Sequence, residues 1–265
     1  MCRLLGIVSS EPTEFRIVLK EAPRSLATLS HQHQDGWGIA IYSEGDDWAI
    51  HKGVERAGDD PRFHSVAIGS RGRMLVAHIR KKTVGPTSLE NTHPFVRGQW
   101  IFAHNGTLND LTYLRSRTSP ERAAEIVGQT DSELLFAFFM TELDRRGLSA
   151  APASEATDRA LSDLVKEVAA LPNIGAFNFL LSNGTVCYAH RFGRTLFVLE
   201  RGPHDEVRER RASESTGAVL ETQWSQRRHA VFVASEHLTD EPWVELEEGT
   251  LIRMESAPTP QWKKI

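Results

Sequence analysis

Cysteine is scarce in this chain, with only Cys2 and Cys187 among 265 residues. That excludes a disulfide framework and the paired CxxC spacing of a zinc ribbon. No run of about 18 apolar residues occurs, and the N-terminal MCRLLGIVSSEPTEF lacks the layout of a secretory leader, so a soluble, cytoplasmic protein without a membrane partner is expected. Lys and Arg do not cluster with aromatics, and the net charge is −4, so nothing marks a nucleic-acid surface. Neither G-x-x-x-x-G-K-[ST] nor G-x-G-x-x-G is found, and the 11 histidines form no H-E-x-x-H string. The densest group, His31, His33 and Asp35, reads as ordinary hydrogen-bonded side chains. No metal and no cofactor are expected.

What remains is a chain of 40 % hydrophobic residues, enough for a substantial core. One continuous domain over 2–265 is expected. CRLLGIVSS reads as a first strand, followed by a helix after Pro12 or after Pro23, the latter ending near His31. Trp37 to Tyr42 and Trp48 to Lys52 alternate as two strands around the turn-forming EGDD. Met74 to Ile79 and Gln99 to Ala103 are short buried strands. Thr130 to Glu133 is a capping-box signature before the apolar helix LLFAFFMTELDRR, which Gly147 closes. A second helix spans about Ser154 to Leu171, with Ala160, Leu161, Leu164, Val165 and Val168 on one face. AFNFLLS and TVCYAHRF flank Asn183-Gly184 as a hairpin, and TLFVLE, HAVFVAS and GTLIRME add strands. Residues from about 202 to 228 predict a long, mobile loop. Strands at both ends with helices between them predict an α+β core of two sheets covered by helices, not strict βαβα alternation.

Cys187 lies in an apolar strand pattern and reads as a buried, inert thiol. Cys2 is different in kind. Removal of Met1 would make it the first residue, with a thiol nucleophile and a free α-amine on the same few atoms. Such an amine, with a pKa of roughly 7.7 to 8.0, can accept a proton near neutrality.

Polar clusters recur at strand ends: His33-Gln34-Asp35-Gly36-Trp37-Gly38, His78 to Gly85, Asn91-Thr92-His93-Pro94-Phe95, His104-Asn105-Gly106-Thr107 and Thr130-Asp131. Taken singly they are turns, surface charges and caps. Together they supply what a cysteine amidase needs. The side-chain amide of Asn105 and the backbone N–H of Gly106 suit an oxyanion. Arg80 suits an α-carboxylate, and Asp131 an α-ammonium.

In order and in residue type, Cys2, the H-x-R-x-x-T-x-G string at His78 to Gly85, the N-x-H-P string at Asn91 to Pro94, the H-N-G at His104 to Gly106 and the T-D at Thr130-Asp131 resemble the class II glutamine amidotransferases of the N-terminal nucleophile hydrolase superfamily. The H-x-D-G-W-G at His33 to Gly38 and the A-S-E-x-L-T at Ala234 to Thr239 are similar to its stand-alone branch. The resemblance implies a four-layer αββα sandwich of two mainly antiparallel sheets. It implies Cys2 as nucleophile and base, Asn105 and Gly106 as oxyanion hole, Arg80 and Thr83 on the substrate carboxylate, and Asp131 on its ammonium. His93 and His104 would shape the pocket or touch substrate, and Asp35, Gly36 and Trp37 would lie near the nucleophile loop. Synthase-fused relatives often carry an aromatic after the arginine; here Lys81 stands there, so channelled ammonia transfer is not implied.

The expected activity is cleavage of the γ-glutamyl amide of glutamine, or of a γ-glutamyl conjugate, through a Cys2 thioester. An ammonia-using synthase or a peptidase subunit would be the partner protein. The alternative is a non-catalytic binding or ligand-sensing module on the same fold, in which Met1 stays attached.

Overall fold

The computed structural model describes residues 2–43, 47–202, 229–256 and 259–265. The EGDD turn, except Asp47, and nearly all of the expected long loop lie outside these residues. The described strands form two antiparallel sheets. The first comprises β1 (Arg3–Glu14), β2 (Trp37–Tyr42), β3 (Ala49–Gly53), β4 (Arg71–Ile79), β9 (Phe197–Arg201), β10 (Ala230–Ala234) and β11 (Val244–Glu245), in the order β11-β9-β10-β1-β4-β2-β3. The second comprises β5 (Phe95–Arg97), β6 (Trp100–Leu108), β7 (Gly175–Ser182), β8 (Val186–His190), β12 (Leu251–Glu255) and β13 (Gln261–Lys264), in the order β13-β12-β8-β7-β6-β5.

The central strands are buried on both faces, and their alternation sorts side chains into different layers. On β1, Leu4 and Val8 join Val76, Ile101, Leu180 and Ile252 between the sheets. Leu5 and Ile7 point the other way, onto the layer that holds Leu26 of α1 (Leu26–Leu29) and Phe63 of α2 (Pro61–Gly69). On β6, Ile101 and Ala103 face the first sheet, whereas Trp100 and Phe102 face α5 (Asp131–Arg145) and α6 (Glu155–Ala169). The result is the αββα sandwich.

Helix α5 is buried almost all round from Leu134 to Leu143, which explains its unbroken apolar run. It is covered by α6 and by two short helices, α3 (Thr112–Arg117) and α4 (Pro120–Ala124). Its cap is half the expected box. Thr130 accepts from the N–H of Glu133 at 3.2 Å, but the Glu133 carboxylate turns to the N–H of Gly128 and to Arg97. At the other end Gly147 takes a φ of +67° and closes the helix.

The helix expected after Pro23 and ending near His31 is present, two strands run beyond their expected ends, and one helix is new. Strand β1 runs through Pro12 to Glu14, so only one helical turn, Ile17–Glu21, follows it, and α1 with the turn at Ser30–Gln32 occupies the stretch after Pro23. Strand β6 continues past Ala103 to Leu108, so Asn105-Gly106 is a strand segment and not a turn. Helix α2 was not anticipated, although Asp60-Pro61 is a start signal: the Asp60 carboxylate accepts from the N–H of Arg62 at 2.9 Å.

Candidate active site

The site lies where the first sheet ends. Arg3 pairs with Ile79, and Ile79 with Trp37, across β1, β4 and β2. One residue further out, Cys2 therefore meets the chain leaving β4. Its Sγ lies 3.2 Å from the backbone N of Lys81 and 3.3 Å from the Lys81 carbonyl oxygen. The segment that leads into β2 braces this turn from the far side. Arg80 N–H donates to Gly36 O at 2.8 Å, Asp35 N–H donates to Arg80 O at 3.2 Å, and the Asp35 carboxylate accepts from Lys82 N–H at 2.9 Å. Gly36 has a φ of +121°, and a Cβ there would come within 2.7 Å of Gly53 O, so glycine is required.

The second sheet supplies the opposite wall. Gly106 of β6, His93 and the start of α5 meet Cys2, Arg80 and Thr83 around a cleft of about 290 Å³, its open mouth included. A Cβ on Gly106 would fall 1.8 Å from Ala176 O, so this backbone can approach its neighbour only without a side chain. Asp131, in the first turn of α5, accepts from Leu108 N–H at 2.7 Å through one oxygen. His104 points to the helical side of β6. One ring nitrogen lies 3.2 Å from Ala176 O and must carry the proton, which leaves the other, Nδ1, to accept from the Ser132 hydroxyl at 2.7 Å. Asn105 faces the first sheet, where its amide Nδ2 donates to Ser235 Oγ at 3.3 Å. A larger cleft, about 660 Å³ on the same measure, opens beside Tyr42, Trp48, Val96 and Asn183. Its lining has no cysteine, histidine, lysine or arginine, all of which are present in the smaller cleft as Cys2, Arg80, Lys81, His93 and His104.

Burial pushes the Cys2 thiol up, opposed by the Lys81 N–H, Arg80 and Arg3. Arg80 is itself buried: its Nη2 donates to Val84 O at 3.0 Å, while Nη1 has no hydrogen-bond partner. His93 lines the cleft and His78 lies behind it, their rings tilted by 46° with centroids 4.3 Å apart, and neither ring nitrogen of His93 has a hydrogen-bond partner. Burial, with the neighbouring His104 and Arg80, lowers His78 to about 3 and holds His93 well below its ordinary range. Both are therefore neutral near pH 7. Among the described residues, no group of three or more His, Cys, Asp or Glu is arranged to hold a metal ion.

Of the residues singled out from sequence, Cys2, Arg80, Thr83, His93, His104, Gly106 and Asp131 line one cleft. Asp35 and Gly36 stand behind the Lys81 turn. Trp37 does not approach the cleft: its indole lies on the helical side, donating from Nε1 to Asp60 at 2.9 Å and packing edge-on to Phe63. Three residues given no role in the sequence are also placed here. Ser132 orients His104, Val84 receives Arg80, and Ser235 contacts Asn105. The A-S-E string had marked Ser235 without a function. A thiol, a buried guanidinium and a carboxylate lining one small cleft are complementary to an α-amino acid that carries an electrophilic carbon.

The family model described as glutamine amidotransferases class-II matches residues 1–261. A Haemophilus influenzae protein named for glutamine amidotransferase activity is 34% identical over 208 residues, covering 77% of this chain and 67% of that one. The γ-glutamyl-hercynylcysteine sulfoxide hydrolase of Mycobacterium tuberculosis is 31% identical over 215 residues, 76% of this chain and 81% of its own. In fold, the chain is similar to glutamine phosphoribosylpyrophosphate amidotransferase of B. subtilis, with a TM-score of 0.63 at 19% identity over 99% of this chain and 49% of that structure.

Proposed function

Because the chain belongs to the class II glutamine amidotransferases, we propose that it hydrolyses a γ-glutamyl amide through a thioester on Cys2. The observation that carries this reading is the buried Arg80 with its unpartnered Nη1, in the same cleft as Cys2 and Asp131. A glutamyl α-carboxylate satisfies that donor, assisted by Thr83 at the mouth, and its α-ammonium satisfies the carboxylate of Asp131. The γ-carbonyl then extends toward Cys2.

Removal of Met1 frees the Cys2 α-amine, which takes the thiol proton. The thiolate attacks the γ-carbonyl carbon, a C–S bond forms, and the carbonyl electron pair moves to oxygen. Asn105 Nδ2–H and Gly106 N–H stabilise that oxyanion; one such donor is typically worth about 100- to 1000-fold in turnover. Collapse breaks the C–N bond, and the ammonium returns its proton to the leaving amine. Water, deprotonated by the same amine, attacks the thioester; the C–S bond breaks and glutamate leaves. His93 and His104, both neutral, form the floor of the pocket without adding charge.

Glutamine is the simplest substrate. A γ-glutamyl conjugate that releases a larger amine is the other, and the name of the mycobacterial relative supports that class. Lys81, where synthase-fused relatives carry an aromatic, supports hydrolysis over channelled transfer to an acceptor. The whole span 2–265 acts as one amidohydrolase domain, in the cytoplasm, where thiols are kept reduced. Neither cofactor nor metal takes part, and an ammonia-using synthase or a peptidase subunit is the class of protein partner proposed.

Intact-protein mass spectrometry before and after treatment with 6-diazo-5-oxo-norleucine, together with glutamate release from glutamine and glutathione, tests the reading. Loss of Met1 and one adduct on Cys2 support it. A retained Met1 with no adduct and no glutamate released would leave the chain as a binding module on the same fold.

A further inference from the structure

Ser235 sits one residue beyond β10, buried and 130 positions from Asn105. Its backbone N–H donates to Leu4 O at 3.1 Å, and its Oγ accepts from Leu4 N–H at 3.0 Å. Both polar groups of Leu4, two residues after Cys2, are thus held by one serine. The same Oγ receives Asn105 Nδ2 at 3.3 Å from the facing sheet. The serine carbonyl is fixed in turn by Thr195 Oγ1 at 2.9 Å. Asn105 makes no other side-chain hydrogen bond among the described residues. Its amide is a short lever with a soft terminal torsion, so one anchored partner decides where it points.

We infer that Ser235 is a positioning residue for the oxyanion hole: its hydroxyl pins the Asn105 amide relative to the strand that carries Cys2, leaving the second Nδ2–H to meet the oxyanion. This rests on the proposed role of Asn105. The physical reason is that a preorganised donor costs no reorientation when charge develops, whereas a free amide must be aligned during the reaction. Ser235 touches no substrate. Its hydroxyl ties the strand that follows Cys2 to the facing strand that carries Asn105.

The test is a double-mutant cycle on glutamate release with the full chain: wild type, Ser235→Ala, Asn105→Ala and the double variant, with Ser235→Thr as the conservative substitution. Ser235→Ala is expected to lower kcat about 10-fold with KM within about twofold, a fraction of what losing a whole donor costs. In the Asn105→Ala background it should cost nothing further, and Ser235→Thr, which keeps the hydroxyl, should recover most of the lost kcat. Alkylation of Cys2 by iodoacetamide, a displacement that builds no oxyanion, should proceed at the wild-type rate in Ser235→Ala. Wild-type kcat in Ser235→Ala, an equal loss in the Asn105→Ala background, or slowed alkylation would each overturn the inference and leave the role of Asn105 intact. Wild-type kcat in Asn105→Ala would remove the oxyanion-hole reading itself, and this inference with it.

Discussion

The backbone N–H of Lys81 points at the sulfur of Cys2 from 3.2 Å, although 79 positions separate the two residues. The antiparallel pairing of Arg3 with Ile79 ends one residue short of this contact, so the sheet itself delivers the donor. A donor of this kind favours the thiolate and offsets part of the burial that raises the thiol. The contact is made by the main chain, and the Lys81 side chain is exposed.

Lys81→Ala should therefore leave the Cys2 thiol pKa where it is, whereas Lys81→Pro, which has no N–H, should raise it by about one pH unit, the equivalent of one modest hydrogen bond. The rate of iodoacetamide alkylation against pH reads this directly. An upward shift in Lys81→Ala would show that the side-chain charge, not the backbone, tunes the sulfur.

Arg80→Ala is expected to raise KM for the glutamyl substrate about 10- to 100-fold, with kcat within a few-fold, because a charged hydrogen bond made in both ground and transition states is lost. Arg80→Lys should recover little, since Nη2 is engaged by Val84 and a lysine cannot replace both arms of the fork. Steady-state kinetics with glutamine decide it; an unchanged KM in Arg80→Ala would refute the carboxylate assignment.

Trp37→Phe removes the indole N–H that Asp60 accepts in the helical layer. The expected cost is about 1 to 3 kcal/mol in urea unfolding, with steady-state constants close to wild type. A large KM change with unchanged stability would return Trp37 to the pocket.

Acid should weaken the fold through buried imidazoles. His78 is lowered to about 3 and His190 to about 4, both chiefly by burial. Unfolding restores their ordinary values near 6.5, so between about pH 6.5 and pH 4 the unfolded chain binds more protons. Stability is full above pH 6.5 and falls as pH drops, by up to about 1.4 kcal/mol per pH unit for each group. Urea midpoints measured from pH 7 to pH 4.5 test the slope. His190→Phe, whose ring would sit among Phe177, Phe179 and Phe192, should make it shallower; an identical slope would exclude His190 as a contributor.

Much of the fold was legible because local rules act strongly in places. Leu4 to Val8, Ile39 to Ile41 and Phe177 to Leu181 are short, largely apolar stretches that form strands, Thr130 caps α5, and Asn183-Gly184 turns a hairpin. The short strands β5, β11 and β13 were missed, since two to four residues carry no period of their own and are ordered by their partners. Asn105-Gly106 misled for the same reason: the pair has the chemistry of a turn, yet cross-strand pairing with Asn178 and Phe177 keeps it extended.

By itself the sequence determined which chemical groups are available and their order: a thiol at position 2, a guanidinium at 80, an amide at 105, a carboxylate at 131 and a serine at 235. Local propensity also determined the long helices and central strands that carry them. Only the tertiary structure decided which of these groups meet. Side chains in a strand alternate between faces, so the turn of one residue separates Trp37, sent to the helical layer, from the bracing backbone of Gly36. Contacts such as Lys81 with Cys2 and Ser235 with Asn105 arise from pairing and packing across long stretches of chain, where no local preference can specify a distance of three ångströms.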